Sequence, residues 1–252
     1  TTGDLTITSA VNATFNGTVD VENFSQVAGT GTTTLNDATE TNGSDGFDVT
    51  GTNMVANASI TAHNAGSVVT DLSGTLEIAD AGDVTTNTGS VTFDADGGIT
   101  TDGDVKTNDG SVTFDDATTF SGGVEIDTNN DGADILFRST IATGGNAFSL
   151  DAGPAGDITI MGSVTGGGVF TVRDGNAQSY QGLELGSIEI QDATTSVAFN
   201  GEVSTSGNIN VTSGGLIVQN ASVKTARNLT YTASQFNFGV DITTSGNQVY
   251  NT

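Results

Sequence analysis

The chain has 252 residues, with 30 acidic against 5 basic side chains and a formal net charge of −25. A surface this acidic repels phosphate, which argues against nucleic acid and anionic membranes as partners. The chain has no cysteine, which excludes disulfides and thiolate metal sites, and no apolar run approaches the roughly 20 residues of a membrane-spanning helix.

The predicted elements at the start of the chain are short strands. A turn residue precedes a few residues that alternate apolar and polar side chains, as in segments 3–7, 17–21 and 74–78. Alternation with period two, bounded by Gly, Asn and Asp, is typical of strands. Because hydrophobic residues make up 35% of the chain and recur in these regular runs, a folded chain is favoured over a disordered one.

An internal repeat follows. Segment 82–94 returns as segment 103–115, an offset of about 21 residues that indicates a repeat architecture. Three short strands per repeat predict a parallel β-helix, with roughly 21-residue, three-strand coils stacked about 4.8 Å apart. We expect a single continuous solenoid over residues 1–252, of about 12 coils and roughly 60 Å. A β-sandwich or a tandem array of Ig-like domains is the alternative.

Three phenylalanines share one repeat position or extend it. Phe93 and Phe114 are equivalent, and Phe137 continues the series. Because they fall in the apolar phase of the alternation, we predict an internal stack of rings. A sugar-binding aromatic strip is the alternative interpretation.

Segment 127–134 interrupts the repeat and predicts a side loop. Its sequence, Asp-Thr-Asn-Asn-Asp-Gly-Ala-Asp, matches the first half of a calcium-binding loop, but Arg138 stands where such a loop needs glutamate. A plain acidic turn is favoured. The alternative is a modest calcium site, whose predicted ligands are Asp127, Asn129, Asp131 and Asp134.

A second interruption, segment 173–186, predicts another side loop. It contains Tyr180, which we predict to be an exposed ligand contact. The only proline, Pro154, lies in a predicted loop between these two segments, where its missing N–H breaks no strand ladder. Towards the end of the chain, apolar residues return at intervals of about seven, from Ile209 to Ile242, as expected for three strands in each coil.

Catalysis is not predicted. Acidic turns at 94–98 and 115–116 offer paired carboxylates of the kind used in glycoside hydrolysis. The basic residues are scattered, however, and His63 is the only histidine. A solvated acidic face is therefore favoured over an active site, and no cofactor is required, with calcium as the one alternative.

The repeats resemble those of large bacterial surface proteins of the filamentous-haemagglutinin-like and autotransporter-adhesin kind. The resemblance rests on Gly-Ser-Val-Thr-Phe at 89–93 and 110–114, on Gly-Asn-Ile-Asn-Val-Thr at 207–212, and on segment 124–135. It implies a right-handed parallel β-helix that is exported and used for attachment, aggregation or biofilm formation. The chain is then expected to be a fragment of a larger protein.

We therefore expect an extracellular structural or adhesive rod at a bacterial cell surface. Its partners would be a host or neighbouring-cell surface, with carbohydrate as one form of contact. The first alternative is a self-assembling subunit of an extracellular fibre, sheath or surface layer, formed by end-to-end self-association. The weaker alternative is a β-helix carbohydrate-active enzyme.

Overall fold

The computed structural model describes residues 3–129, 132–225 and 227–252. These residues form strands joined by turns and bends, and none of them lies in a helix. The described part of the chain therefore contains no helix that could span a membrane.

The strands are short in the first two thirds of the chain and longer towards the end. In chain order they are β1 (Leu5–Ile7), β2 (Ala13–Phe15), β3 (Val19–Val21), β4 (Phe24–Gln26), β5 (Thr32–Leu35), β6 (Thr39–Thr41), β7 (Gly46–Gly51), β8 (Asn53–Ala56), β9 (Ile60–Ala62), β10 (Ser67–Leu72), β11 (Thr75–Ile78), β12 (Val84–Thr86), β13 (Val91–Ala95), β14 (Gly98–Thr101), β15 (Val105–Thr107) and β16 (Val112–Phe114). They continue with β17 (Thr118–Phe120), β18 (Val124–Asp127), β19 (Ile135–Phe137), β20 (Ile141–Ala142), β21 (Phe148–Asp151), β22 (Ile158–Thr165), β23 (Val169–Val172), β24 (Ala177–Leu185), β25 (Ser187–Ile190), β26 (Ser196–Phe199), β27 (Val203–Thr205), β28 (Ile209–Gln219), β29 (Val223–Thr225), β30 (Leu229–Phe238), β31 (Ile242–Thr244) and β32 (Gln248–Asn251).

The strands pair in parallel, each with the strand one coil away, and so build three faces. Face 1 begins β1, β4, β7; face 2 begins β2, β5, β8; face 3 begins β3, β6, β9. The result is a parallel β-solenoid of about 12 turns. This confirms the predicted β-helix and excludes the sandwich alternative for the described residues, because sandwich sheets are antiparallel.

The coil length varies around the predicted 21 residues. Val91 pairs with Val112, an offset of 21, whereas offsets range from 18 between Phe170 and Ile188 to 24 between Val124 and Phe148. The strands stay in register within each face, so the extra or missing residues of a coil lie in its corners.

The core is one continuous column of inward side chains from the three faces. Phe93, Phe114 and Phe137 are each at most 1% exposed. Their ring centroids are 5.2 Å and 4.6 Å apart in sequence order, which confirms the predicted internal stack. The sugar-binding strip is therefore wrong for these rings, because no ligand reaches them from solvent.

The predicted side loop at 173–186 is wrong, and so is the exposed position of Tyr180. Residues 177–185 form β24, which passes from face 1 to face 2 without a break. Tyr180 is 0% exposed, and its hydroxyl donates to Gln178 Oε1 at 2.8 Å. Gln178 Nε2 in turn donates to the Asp192 carbonyl at 2.9 Å. The segment looks like a loop because two of its inward residues are polar, but their hydrogen bonds are made inside the rod.

Several threonines also point inward, and they differ in whether their hydroxyls are satisfied. Thr70 is 1% exposed, lies between Val49 and Phe93 in the register of face 1, and its hydroxyl has no hydrogen-bond partner. Thr101 is 0% exposed, and its hydroxyl donates to the Gly103 carbonyl at 2.9 Å.

We therefore predict opposite effects for the same substitution at these two positions. Thr70→Val should raise the free energy of unfolding by about 1 kcal/mol, because it removes an unsatisfied buried hydroxyl at nearly constant shape. Thr101→Val should lower it by about 1 kcal/mol or more, because it leaves a carbonyl without its donor. Denaturant unfolding of both variants checks this, and a loss of stability in Thr70→Val would contradict it.

Candidate functional site

The corner between faces 3 and 1 contains the segment that resembles a calcium loop. In two earlier coils, Thr86 and Thr107 close this corner by donating to the carbonyls of Gly89 and Gly110. Thr128 does the same with the Ala133 carbonyl at 2.9 Å. The closing bond spans five residues instead of three, so the segment is the same corner lengthened by two residues.

The described members of the predicted calcium site already have partners in the rod. The Asn129 amide N–H donates to Asp127 Oδ1 at 2.7 Å, and the Asn129 side chain donates to Asn108 Oδ1 at 3.4 Å. Asp134 Oδ1 accepts the backbone N–H of Asp157 at 2.8 Å. Asp131 lies outside the described residues, so calcium binding here stays a prediction. Among the described residues, no group of three His, Cys, Asp or Glu side chains is placed to hold a metal ion.

Asparagine side chains stack from coil to coil at the corners. The amide of Asn108 donates to Asn87 Oδ1 at 2.8 Å, and at another corner Asn36 and Asn57 extend a ladder from Asn16 at the same spacing of 2.8 Å. Each amide both donates and accepts, so the ladder can continue through any number of coils. These ladders hold the coils in register where strand pairing is interrupted.

Carboxylates on face 1 lie close enough to repel one another. Asp71 pairs directly with Asp94 in the next coil, and Asp116 Oδ2 accepts the N–H of Ala95 at 2.8 Å. Burial raises the pKa of Asp94, and the negative charge of Asp116 beside it raises it further. Burial also raises the pKa values of Asp151 and Asp174.

These raised pKa values predict that the rod is more stable in mild acid. A carboxyl with a raised pKa contributes stability that is present below its ordinary pKa and is lost as the pH rises through the folded-state value. We expect the melting temperature to rise as the pH falls from neutrality towards the ordinary carboxyl pKa of about 4, and Asp94→Asn to raise it at neutral pH. Glu125 and Glu202, whose pKa values are lowered by Lys106 and Lys224, oppose the trend because their contribution is lost as the pH falls. A melting temperature that falls steadily over this range would refute the prediction.

An ion-pair cluster on face 3 brings together side chains from distant parts of the sequence. Glu125 Oε2 lies 2.9 Å from Lys106 Nζ, and Glu125 Oε1 accepts a hydrogen bond from Arg173 Nη1. Lys106 Nζ also lies 3.6 Å from Asp104 Oδ2. The hydrogen bond from Lys106 holds the pKa of Glu125 below its usual range, and Glu125 raises the pKa of Lys106.

Beside this cluster, the surface has a depression of about 340 Å³. Its walls include Glu125 and Arg173, and its floor is formed by small residues, among them Gly123, Ser149 and Thr171. The sequence pattern does not reveal this site, because Glu125 and Arg173 are 48 residues apart. Their position on one face becomes known only when the number and length of the intervening coils are known.

Comparison with protein-family models, with curated proteins and with solved structures finds no match to this chain.

Proposed function

We propose that this chain is a structural rod of an extracellular, bacterial cell-surface protein, which holds the parts of that protein at a fixed distance and supports attachment. The observation that carries the proposal is the continuity of parallel pairing on all three faces, from β1 to β32. Each described coil is bound to its neighbours by backbone hydrogen bonds, so a force along the axis is shared by three ladders. The resemblance of the repeats to those of surface adhesins supports the same proposal by analogy.

The first experiment measures the length and stiffness of the rod. Because the chain has no cysteine, Thr14→Cys and Thr243→Cys give two unique labels on strands β2 and β31 of face 2. About 11 coil steps at about 4.8 Å predict a spin-label separation of roughly 53 Å with a narrow distribution. A broad distribution would show that the chain is not a rigid spacer.

The second experiment tests the role in attachment. Bacteria that display the chain from a heterologous outer-membrane anchor are expected to adhere to surfaces and to one another more than cells that display the anchor alone. The matched control is the Gly110→Ala variant, displayed on the cells in the same amount. This substitution should disturb the stacking of the coils. Equal adhesion by the rod and the bare anchor would overturn the attachment role while leaving the rigid rod intact.

A second candidate function, self-assembly, is favoured by the aromatic surface of the coil that contains β32. Phe236, Phe238 and Tyr250 form a cluster with ring centroids 5.4–5.8 Å apart, and Tyr250 is 40% exposed. The Tyr250 hydroxyl donates to Gln248 at 3.0 Å, the same bond that Tyr180 makes inside the rod. A second copy of the chain stacked on this coil would cover this surface. Sedimentation of the chain over a concentration series tests self-association, which Tyr250→Asp should abolish.

Calcium at the 127–134 corner is a separate proposal. If calcium binds there, adding it to a chelator-treated sample raises the melting temperature, and Asp127→Asn removes most of that rise. An unchanged melting temperature in the unsubstituted chain would dismiss the site.

A further inference from the structure

The depression on face 3 combines fixed charged groups with free surface above a floor of small residues. Its volume of about 340 Å³ lies at the lower end of the range for small-molecule sites, about 300–1,000 Å³. Other depressions of similar volume lie along the rod, one of them about 500 Å³ beside Glu184 and Glu202, so the fixed charged groups distinguish this one. Gly123 has no side chain to fill it, and a Cβ at this position would find its nearest atom 3.8 Å away.

The charged wall of the depression is held in place before any ligand arrives. Glu125 is clamped between Lys106 and Arg173, which reach it from opposite directions along the axis. The backbone N–H of Glu125 donates to Asp104 Oδ1 at 2.8 Å, which fixes the strand beneath it. Side chains that are already ordered lose less conformational entropy on binding, so such a wall favours ligand recognition.

The wall also retains hydrogen-bonding capacity. Arginine has five N–H donors, and a carboxylate has about four acceptor positions, so the contacts of Arg173 and Glu125 with each other leave several groups free to bind a ligand. The side chain of Arg173 is 49% exposed and that of Glu125 is 22% exposed. Ser149 and Thr171, which pair across β21 and β23, add two hydroxyl groups at the floor.

The charges in and around the depression limit which ligands it can bind. Asp104, Glu125, Asp127 and Asp151 lie close to Lys106 and Arg173, so acidic and basic groups are both present at short range. The excess of carboxylates, on a chain with a net charge of −25, repels an anionic ligand. Glu125, the glutamate that lines the depression, already pairs with Lys106 and Arg173, so it offers a cationic ligand little unpaired charge. Donors and acceptors side by side match the hydroxyl groups of an uncharged sugar.

We propose that this depression binds a neutral hexose unit of a surface glycan, with Arg173, Glu125 and the hydroxyl groups of Ser149 and Thr171 as its polar contacts. Such a site would give the rod a lateral point of attachment along its side. It deepens the proposed role in attachment but does not depend on the rod being a spacer.

The test uses the full chain and three sets of probes: neutral hexose, uronic-acid and glucosamine oligosaccharides. Saturation-transfer NMR and titration should show saturable binding of a neutral oligosaccharide. Ser149→Tyr, which fills the depression, should abolish binding. Arg173→Lys, which keeps the charge but loses the forked geometry, should weaken it about tenfold or more.

The matched control is Thr230→Tyr, an equally bulky change at an outward position of β30 on the same face, which should bind the neutral probe like the unsubstituted chain. The proposal is overturned if no neutral probe binds, if only a charged probe binds, or if Ser149→Tyr binds normally. It is also overturned if Thr230→Tyr loses binding equally. The spin-label distance of Ser149→Tyr is measured in parallel, so that loss of the rod is distinguished from loss of the site.

Discussion

Replacing Gly110 by alanine is expected to lower the free energy of unfolding by about 3 kcal/mol or more, at the upper end of the usual cost of overpacking. A Cβ at Gly110 would lie 1.9 Å from the Gly89 carbonyl oxygen, and one at Gly89 would lie 1.9 Å from the Gly66 carbonyl oxygen. These three glycines follow one another at the same corner in successive coils. The backbone approaches too closely there for any side chain, so the coils must separate to admit a methyl group.

The control for this prediction is Gly17→Ala. A Cβ at Gly17 has no atom within 4 Å, so the variant should be as stable as the unsubstituted chain or more stable by up to about 1 kcal/mol, because alanine restricts the unfolded chain. Both variants are compared by denaturant unfolding. Equal stabilities for Gly110→Ala and Gly17→Ala would show that the stacked backbones are not the constraint.

Replacing Phe114 by alanine should lower the free energy of unfolding by about 3–5 kcal/mol. Phe114 is 0% exposed and lies between Phe93 and Phe137, with which it makes an edge contact and a stacked contact, respectively. Its removal leaves a cavity in the column and takes a partner from both rings. The parallel backbone ladder on either side limits how far the coils can collapse into the space.

The control for the ring stack is Thr113→Ala on the same strand. Thr113 points outward, so its replacement should change stability by about 0.5 kcal/mol or less. Thermal unfolding of the two variants measures this difference as a shift in the midpoint of each transition. A loss below about 1 kcal/mol in Phe114→Ala would contradict a tightly packed core.

The fold could be predicted because the same side-chain pattern recurs in most coils. Val84 and Val105 occupy one position of the repeat, and the structure pairs them directly. Period-two alternation then places the apolar set inside, as it does for Phe93 and Phe114. A parallel solenoid satisfies both the repeat and the alternation, so the sequence pattern is sufficient for the architecture.

The burial of Tyr180 could not be predicted from polarity. Glutamine is usually a surface residue, but Gln178 is 1% exposed and makes hydrogen bonds to Tyr180 and to a backbone carbonyl. A buried polar group is tolerated when its partners are present, and those partners become known only once the coils are stacked.

The face 3 depression was unpredictable for a different reason, which is register. Val105 pairs with Ile126 at an offset of 21, whereas Val124 pairs with Phe148 at an offset of 24. Such changes accumulate from coil to coil, so the sequence alone does not place Arg173 against Glu125. Their contact depends on corner lengths, which the repeat pattern does not specify.

The three-sided pairing has a consequence for resistance to proteases. A cut in one corner breaks the chain once, but the strands on either side of the cut remain hydrogen-bonded to the coils above and below, as β18 is to β15 and β21. The fragments therefore stay assembled, and separation requires every ladder across one plane to open together. A rod of this construction can be nicked at its surface and still transmit tension.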